Sequence, residues 1–202
     1  MQERSDSHVV YAEVDVKDWL ASRPTVARVR PKRCPCCGKA GQPAGMPLGL
    51  WGHGVRLRQV RGPLVPEGPA QVVTLEARRY VCRGCGATVT VLPRGLVARR
   101  YYAASAIGIA LFLVGVLGLG LGEVRQRVCA WPSSFEGGVW AAPRRWVGAI
   151  AQGRLFGAIR DSPAAFTMRR QAERAAMTLL AMAPPPSPCP QQAVMVGAAL
   201  AA

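Results

Sequence analysis

Hydrophobic and polar positions along the chain change rhythm at about residue 99. Before it, apolar residues come in short runs between turn formers. Val9 to Leu20 alternates in part and ends in Asp18-Trp19-Leu20, which fits either a strand or a short lead-in helix. Residues 41–70 hold seven Gly and five Pro, which argues against continuous helix or a central strand and reads as a long loop. Val72 to Val81 is rich in β-formers, and Thr88 to Leu92 is a second short strand that Pro93 is expected to stop. From Arg99 the period becomes helical. Tyr101 to about Val116 reads as one helix, Gly122 to about Ala130 as a second, and Pro143 to about Gly153 as a third, Pro being tolerated in a first turn. Ser162-Pro163 is expected to start a fourth, ending before Pro184. The last ten residues are apolar and featureless and are expected to form a disordered tail.

These elements imply an α+β chain: an N-terminal segment (1–30), a small β unit with a long Gly/Pro loop (31–95), a helical domain (96–160), an amphipathic helix (161–183) and a Pro-rich and apolar tail (184–202).

Charge changes the picture of the β unit. The 202 residues carry 26 basic and 11 acidic side chains, a formal charge of +15, but the excess is local. Residues 23–100 hold fifteen basic and two acidic groups, whereas residues 1–22 hold two and five. Such a block favours a polyanion, because neutralising phosphates releases condensed counterions. Residues 1–8 are polar and carry no apolar signal core, so a reducing cytoplasmic setting is the expectation.

Four of the seven cysteines explain how the β unit is held. Cys34-Pro35-Cys36-Cys37-Gly38 and Cys82-Arg83-Gly84-Cys85-Gly86 repeat one pattern, C-x-x-C-G. Two such pairs place four thiolates around one tetrahedral Zn²⁺, a closed and therefore structural site. The glycine after each second cysteine permits the tight turn, which selects Cys34, Cys37, Cys82 and Cys85 as ligands and leaves Cys36 spare. His53 is a possible substitute ligand, less favoured than a solvent-facing loop histidine. Cys129 and Cys189 read as an ordinary packed thiol and an exposed tail thiol.

Residues 103–122 carry no charge, and their mean hydropathy of roughly +2 is in the range of a membrane span. The glycines at 108, 115, 118, 120 and 122 and the arginines on both flanks favour a buried helix followed by a turn. A membrane-anchored zinc-ribbon protein is the alternative. In the helical domain Glu123 to Val128 and Pro143 to Ile150 fit the two helices of a helix-turn-helix, with Arg144 and Arg145 in the first turn of the second, where recognition helices read bases.

Cys34 to Gly38, Trp51-Gly52-His53-Gly54, Arg78 to Gly86 and Val91-Leu92-Pro93, with Arg99 to Tyr102 and Arg144 to Val147, resemble bacterial transposase-type zinc-ribbon proteins with a helix-turn-helix. The resemblance spans roughly residues 30–155 and implies a DNA-binding, transposition-related or regulatory role. Two features depart from the pattern. Ala141-Ala142 stand where a Ser or Thr helix cap is expected, and after the ribbon only Glu123, Glu136, Asp161 and Glu173 remain as carboxylates. Those four, on expected helices or loops, do not make the spaced triad that two-metal nucleic-acid chemistry needs.

The expectation is a non-enzymatic protein with one structural Zn²⁺ and DNA as partner, RNA being a second polyanion that phosphate contacts do not distinguish, and no small-molecule substrate. Arg56, Arg58, Arg61, Arg78 and Arg79 are expected on phosphates from the ribbon, Arg125 and Arg127 on the backbone, and Arg144 and Arg145 in the major groove. A protein–protein adaptor is a third reading; the oligomeric state is open.

Overall fold

The computed structural model describes residues 7–131, 140–159 and 166–202. The stretch that fitted either strand or helix is both: β1 (Ser7–Asp15) runs directly into α1 (Val16–Ala21). Asp15 makes the switch, its extended backbone ending the strand while its carboxylate accepts the Lys17 N–H at 2.9 Å as the helix cap.

The expected Gly/Pro loop contains a strand, β2 (Leu50–Arg61). With β3 (Val72–Cys82) and β4 (Thr88–Arg94) it completes a four-stranded sheet of order β1-β4-β3-β2, so β2 lies at an edge, where Gly52 and Gly54 are tolerated. β3 and β4 pair antiparallel, Val81 opposite Thr88, and β1 pairs parallel to β4 from Ser7–Thr88 to Tyr11–Leu92. The β1 register slips before Asp15–Arg94. Pro93 sits within that irregularity, so β4 continues to Arg94 rather than stopping before the proline. Central β4 buries Val89, Thr90, Val91 and Leu92 in succession, as a strand covered on both faces does.

The chain forms two compact units, one of residues up to Gln59 with Thr74–Arg94, the other of Val60–Val73 with Gly95–Ala202. The second unit takes up the chain again at Gly95, and the N-terminal segment joins the β unit through β1. In that unit Trp19 is buried and its Nε1 donates to the Glu76 carbonyl at 3.1 Å. Two neighbouring residues of β3 tie down the irregular segment before the first cysteine pair. The Tyr80 hydroxyl donates to the Val26 carbonyl at 2.6 Å, and the Arg78 guanidinium donates to the Pro24 carbonyl at 3.0 and 2.8 Å.

The other unit is helical. Every residue of α2 (Ala104–Gly115) is buried. It packs against α3 (Leu121–Val128), α4 (Ala142–Ala151), α5 (Met168–Ala181) and α6 (Pro190–Ala201). A helix covered on all sides is apolar all round, which is why this sequence has the hydropathy of a span. The helix ends at Gly115, and Gly118, at φ 70°, turns the chain toward α3. Among the described residues no helix is long and apolar enough to cross a membrane.

The C-terminal residues form α6 rather than a disordered tail, with Val194 and Ala198 fully buried. Small residues make this possible. A Cβ on Gly197 would collide with the Leu179 carbonyl of α5, and one on Gly115 with the Glu173 backbone nitrogen, so α2, α5 and α6 approach almost backbone to backbone. Helix α5 starts at Met168, capped by Thr167, whose hydroxyl accepts the Arg170 N–H at 3.3 Å. The expected start at Ser162-Pro163 lies outside the described residues.

Candidate metal centre

Two equivalent turns build the centre. In the first, the Cys34 N–H donates to the Lys39 carbonyl at 2.8 Å and the Gly38 N–H to the Cys34 carbonyl at 2.9 Å. In the second, which is the β3–β4 connection, the Cys82 N–H donates to the Ala87 carbonyl at 3.0 Å and the Gly86 N–H to the Cys82 carbonyl at 2.8 Å. Gly38 and Gly86 adopt φ of 72° and 74°, the left-handed conformation that closes each loop and that a side chain would strain. The equal hydrogen bonds follow from the repeated C-x-x-C-G pattern.

Further backbone bonds hold the two turns in reach of each other. The Arg83 N–H donates to the Gly49 carbonyl at 2.9 Å, and Gly49 and Leu50 both donate to the Gly41 carbonyl. The Lys39 side chain lies across Gly84, where a Cβ would strike its Cδ, and so brings an ammonium group to the second turn.

The Sγ atoms of Cys34, Cys37, Cys82 and Cys85 lie within 4.8 Å of one another. Across the two turns Cys34 and Cys85 are 3.8 Å apart and Cys37 and Cys82 are 3.6 Å apart. Four sulfurs each about 2.3 Å from a common tetrahedral ion stand about 3.8 Å apart, so these positions suit a metal ion; a disulfide needs about 2.05 Å. Each turn buries its first cysteine and exposes its second.

The thiols are poised unequally. Burial pushes Cys82 up, but the N–H groups of Cys85 and Gly84 (the latter 3.3 Å from its sulfur) and the Cys34 and Cys37 thiols outweigh it, and its pKa falls to about 7. For Cys85 the Ala87 N–H lowers the pKa, yet desolvation and the thiols of Cys82 and Cys34 carry it above the ordinary value.

Cys36 is exposed and outside the cluster, as its place in the motif implied. His53 is an exposed residue of β2, also outside it. Cys129 and Cys189 belong to the helical unit, and Cys189 is the half-buried residue before α6 rather than an exposed tail thiol.

The arginines expected on phosphates separate into distinct environments. Arg56 is exposed on β2, and Arg58 and Arg79 are half-buried. Arg58 is lowered by desolvation, which Tyr11 opposes and Arg56 reinforces. Arg78 is engaged with the Pro24 carbonyl, so its role is to hold the chain rather than to offer an open cation. Arg61 belongs to the helical unit and not to the ribbon, its guanidinium lying over two aromatic rings. Arg144 and Arg145 are exposed in the first turn of α4, whose Ala141 gives no side-chain cap. Arg125 is half-buried, and Arg127 pairs with Glu123 at 3.0 Å. Residues 132–139, within the connection from α3 to α4, lie outside the described residues.

Two basic neighbours of the centre escaped the reading of the sequence: Lys39 and Arg83, the latter 4.8 Å over the Trp51 ring. The available signal was position, since both flank a cysteine turn.

No family model, no curated protein and no solved structure matches the chain.

Proposed function

We propose that the protein is a zinc-stabilised, non-catalytic nucleic-acid-binding protein that takes duplex DNA, related in kind to transposase-type zinc-ribbon and helix-turn-helix proteins. The observation that carries this reading is a closed four-thiolate cluster set within the most basic part of the chain. Tetrahedral sulfur coordination suits Zn²⁺, and with four protein ligands no position stays open for a substrate. The metal then shapes a cationic surface. Arg56 and Arg79 serve phosphates, with Arg58 beside them. Arg144 and Arg145, at the N-terminal end of α4, enter the major groove, and Arg125 and Arg127 contact the backbone.

A reading without nuclease chemistry draws support from the carboxylates. Glu123 and Glu173 are each engaged by an arginine on their own helix, Arg127 at 3.0 Å and Arg170 at 2.9 Å. Glu136 and Asp161 lie outside the described residues.

The test is a salt series of binding to random-sequence duplex DNA by the zinc-loaded protein. Affinity is expected to fall steeply with salt, and Arg144→Ala/Arg145→Ala to weaken binding and flatten the salt slope by about two. One zinc per chain with no affinity for DNA at low salt would sink the DNA reading and favour a protein-binding ribbon.

A further inference from the structure

The helical unit carries a surface feature that neither the metal centre nor α4 uses. The Arg61 guanidinium lies 4.5 Å from the centroid of the Tyr101 ring and 5.2 Å from that of Trp131. Both rings are on the surface, Tyr101 being 60 % and Trp131 51 % exposed. Aromatic side chains are the largest apolar groups a fold has to bury, so two of them left half in water around one cation call for a reason.

The backbone beneath them is fixed. The Arg61 N–H donates to the Tyr101 carbonyl at 2.9 Å, and the Ala103 N–H donates to the Arg61 carbonyl at 3.1 Å. The next residue, Tyr102, turns the other way and packs edge-on against Trp146 at 5.1 Å and Trp140 at 6.4 Å. Arg99, two residues before Tyr101, is held at φ 60°, the left-handed region that non-glycine residues seldom enter. Tyr101 is thus presented outward by a segment that backbone hydrogen bonds tie to Arg61. Residues 94–103 contain three arginines (Arg94, Arg99, Arg100) and no carboxylate.

From this arrangement we infer that Tyr101 and Trp131 form a stacking platform for the unpaired bases of a single-stranded nucleic acid. Arg61 steadies the rings from one side, and Arg99, exposed two residues before Tyr101, would supply a cation for the strand's phosphates. An exposed ring beside guanidinium groups is the chemistry by which proteins hold unpaired bases without regard to sequence, because every base has a π face. The bases of an intact duplex are already stacked on one another and do not reach such a ring. The platform therefore selects single strands, or strands opened within a duplex. This inference rests on the nucleic-acid reading above and adds the kind of strand that the helical unit takes.

The experiment compares an oligo(dT) single strand with random duplex DNA, on the full-length zinc-loaded protein. Tryptophan emission is expected to be quenched by oligo(dT), and the Trp131-dependent part of that quenching to vanish in Trp131→Phe while affinity persists. Tyr101→Ala and Trp131→Ala should each weaken oligo(dT) binding about tenfold, and Tyr101→Phe should restore it. Duplex affinity should stay within about twofold of wild type in these variants, because no phosphate contact is removed.

Wild-type oligo(dT) affinity in both alanine variants, with salt-dependent duplex binding intact, would overturn the platform and leave the duplex reading standing. Loss of duplex and single-strand affinity together, or docking of a protein that the alanine substitutions abolish while oligo(dT) binding is unchanged, would overturn it too. Absence of any DNA binding by the wild-type protein at low salt would remove the underlying reading as well. Should an alanine variant fail to fold, the quenching of the wild-type protein against Trp131→Phe decides alone.

Discussion

Residues 31–49 and residues 104–115 are stabilised in opposite ways. In the first stretch, which carries the first cysteine turn, Cys34 is the one buried side chain. In the second, helix α2, every residue is buried. A segment without an apolar core of its own cannot repay the conformational entropy of its ordering, which amounts to about 1–2 kcal/mol per residue for the backbone alone. A metal held by the four sulfurs would fill that gap for residues 31–49, whereas in α2 close packing of small and aliphatic side chains does so. If the proposed metal is bound, the cysteine turns depend on it and the helical core on packing, and each should fail under a perturbation that spares the other.

The largest effect is expected from the cluster. Structural zinc sites contribute on the order of 10–16 kcal/mol of apparent binding free energy, which is folding free energy for the segments they join. Cys34→Ser should therefore lose the single zinc and the ordered turns, while the helical circular dichroism of α2 to α6 survives. Cys36→Ser should keep one zinc per chain, because its side chain is exposed and outside the cluster. Elemental analysis together with far-ultraviolet circular dichroism reads both outcomes. Collapse of the helical signal in Cys34→Ser would show the two regions to be one cooperative structure.

The reverse perturbation is Leu111→Ala. Leu111 is fully buried in α2, and truncating such a side chain costs about 2–5 kcal/mol, depending on how far the neighbours relax into the cavity. The helical transition in denaturant should move to lower concentration, by that free energy divided by the slope of the transition, with zinc content still one per chain. An unchanged midpoint would mean that α2 is not the centre of the helical core.

What could be read from the sequence follows the same division. The cysteine turns were legible because their hydrogen bonds are local, closing within five residues around a glycine. The helices were legible wherever polar residues marked a period, as in α3 and α4. β2 was not, because the seven Gly and five Pro of residues 41–70 mask a strand that occupies only part of that stretch. All five prolines, at 43, 47, 63, 66 and 69, flank the strand rather than lying within it, and its edge position tolerates Gly52 and Gly54. α6 was not legible either. Its Ala, Gly and Val residues acquire meaning through a partner, the Leu179 carbonyl that only a glycine at 197 lets approach. Arg78 looked like a phosphate ligand for a related reason: the Pro24 carbonyl that receives it lies 54 residues away in the chain.

The smallest effect sharpens the comparison most, because it tests whether side chains of β3 reinforce the segment that leads into the cysteine turns. Residues 24–26 precede the first cysteine turn and are held by the side chains of Arg78 and Tyr80, which share one face of β3. Burial raises the Tyr80 pKa, with Arg30 and Arg78 opposing the rise, so the hydroxyl stays protonated and donates to the Val26 carbonyl. Tyr80→Phe keeps the buried ring and removes that one bond, at a cost of about 1 kcal/mol. Because zinc binding and folding of the turns are linked, the cost should appear as zinc affinity weakened by about fivefold in a chelator competition. Zinc stoichiometry should stay at one, and the helical transition should not move. A shift in the helical transition with no change in zinc affinity would place Tyr80 in the wrong region's stability. An affinity equal to wild type would mean that the Tyr80–Val26 bond adds nothing to the hold on the cysteine turns.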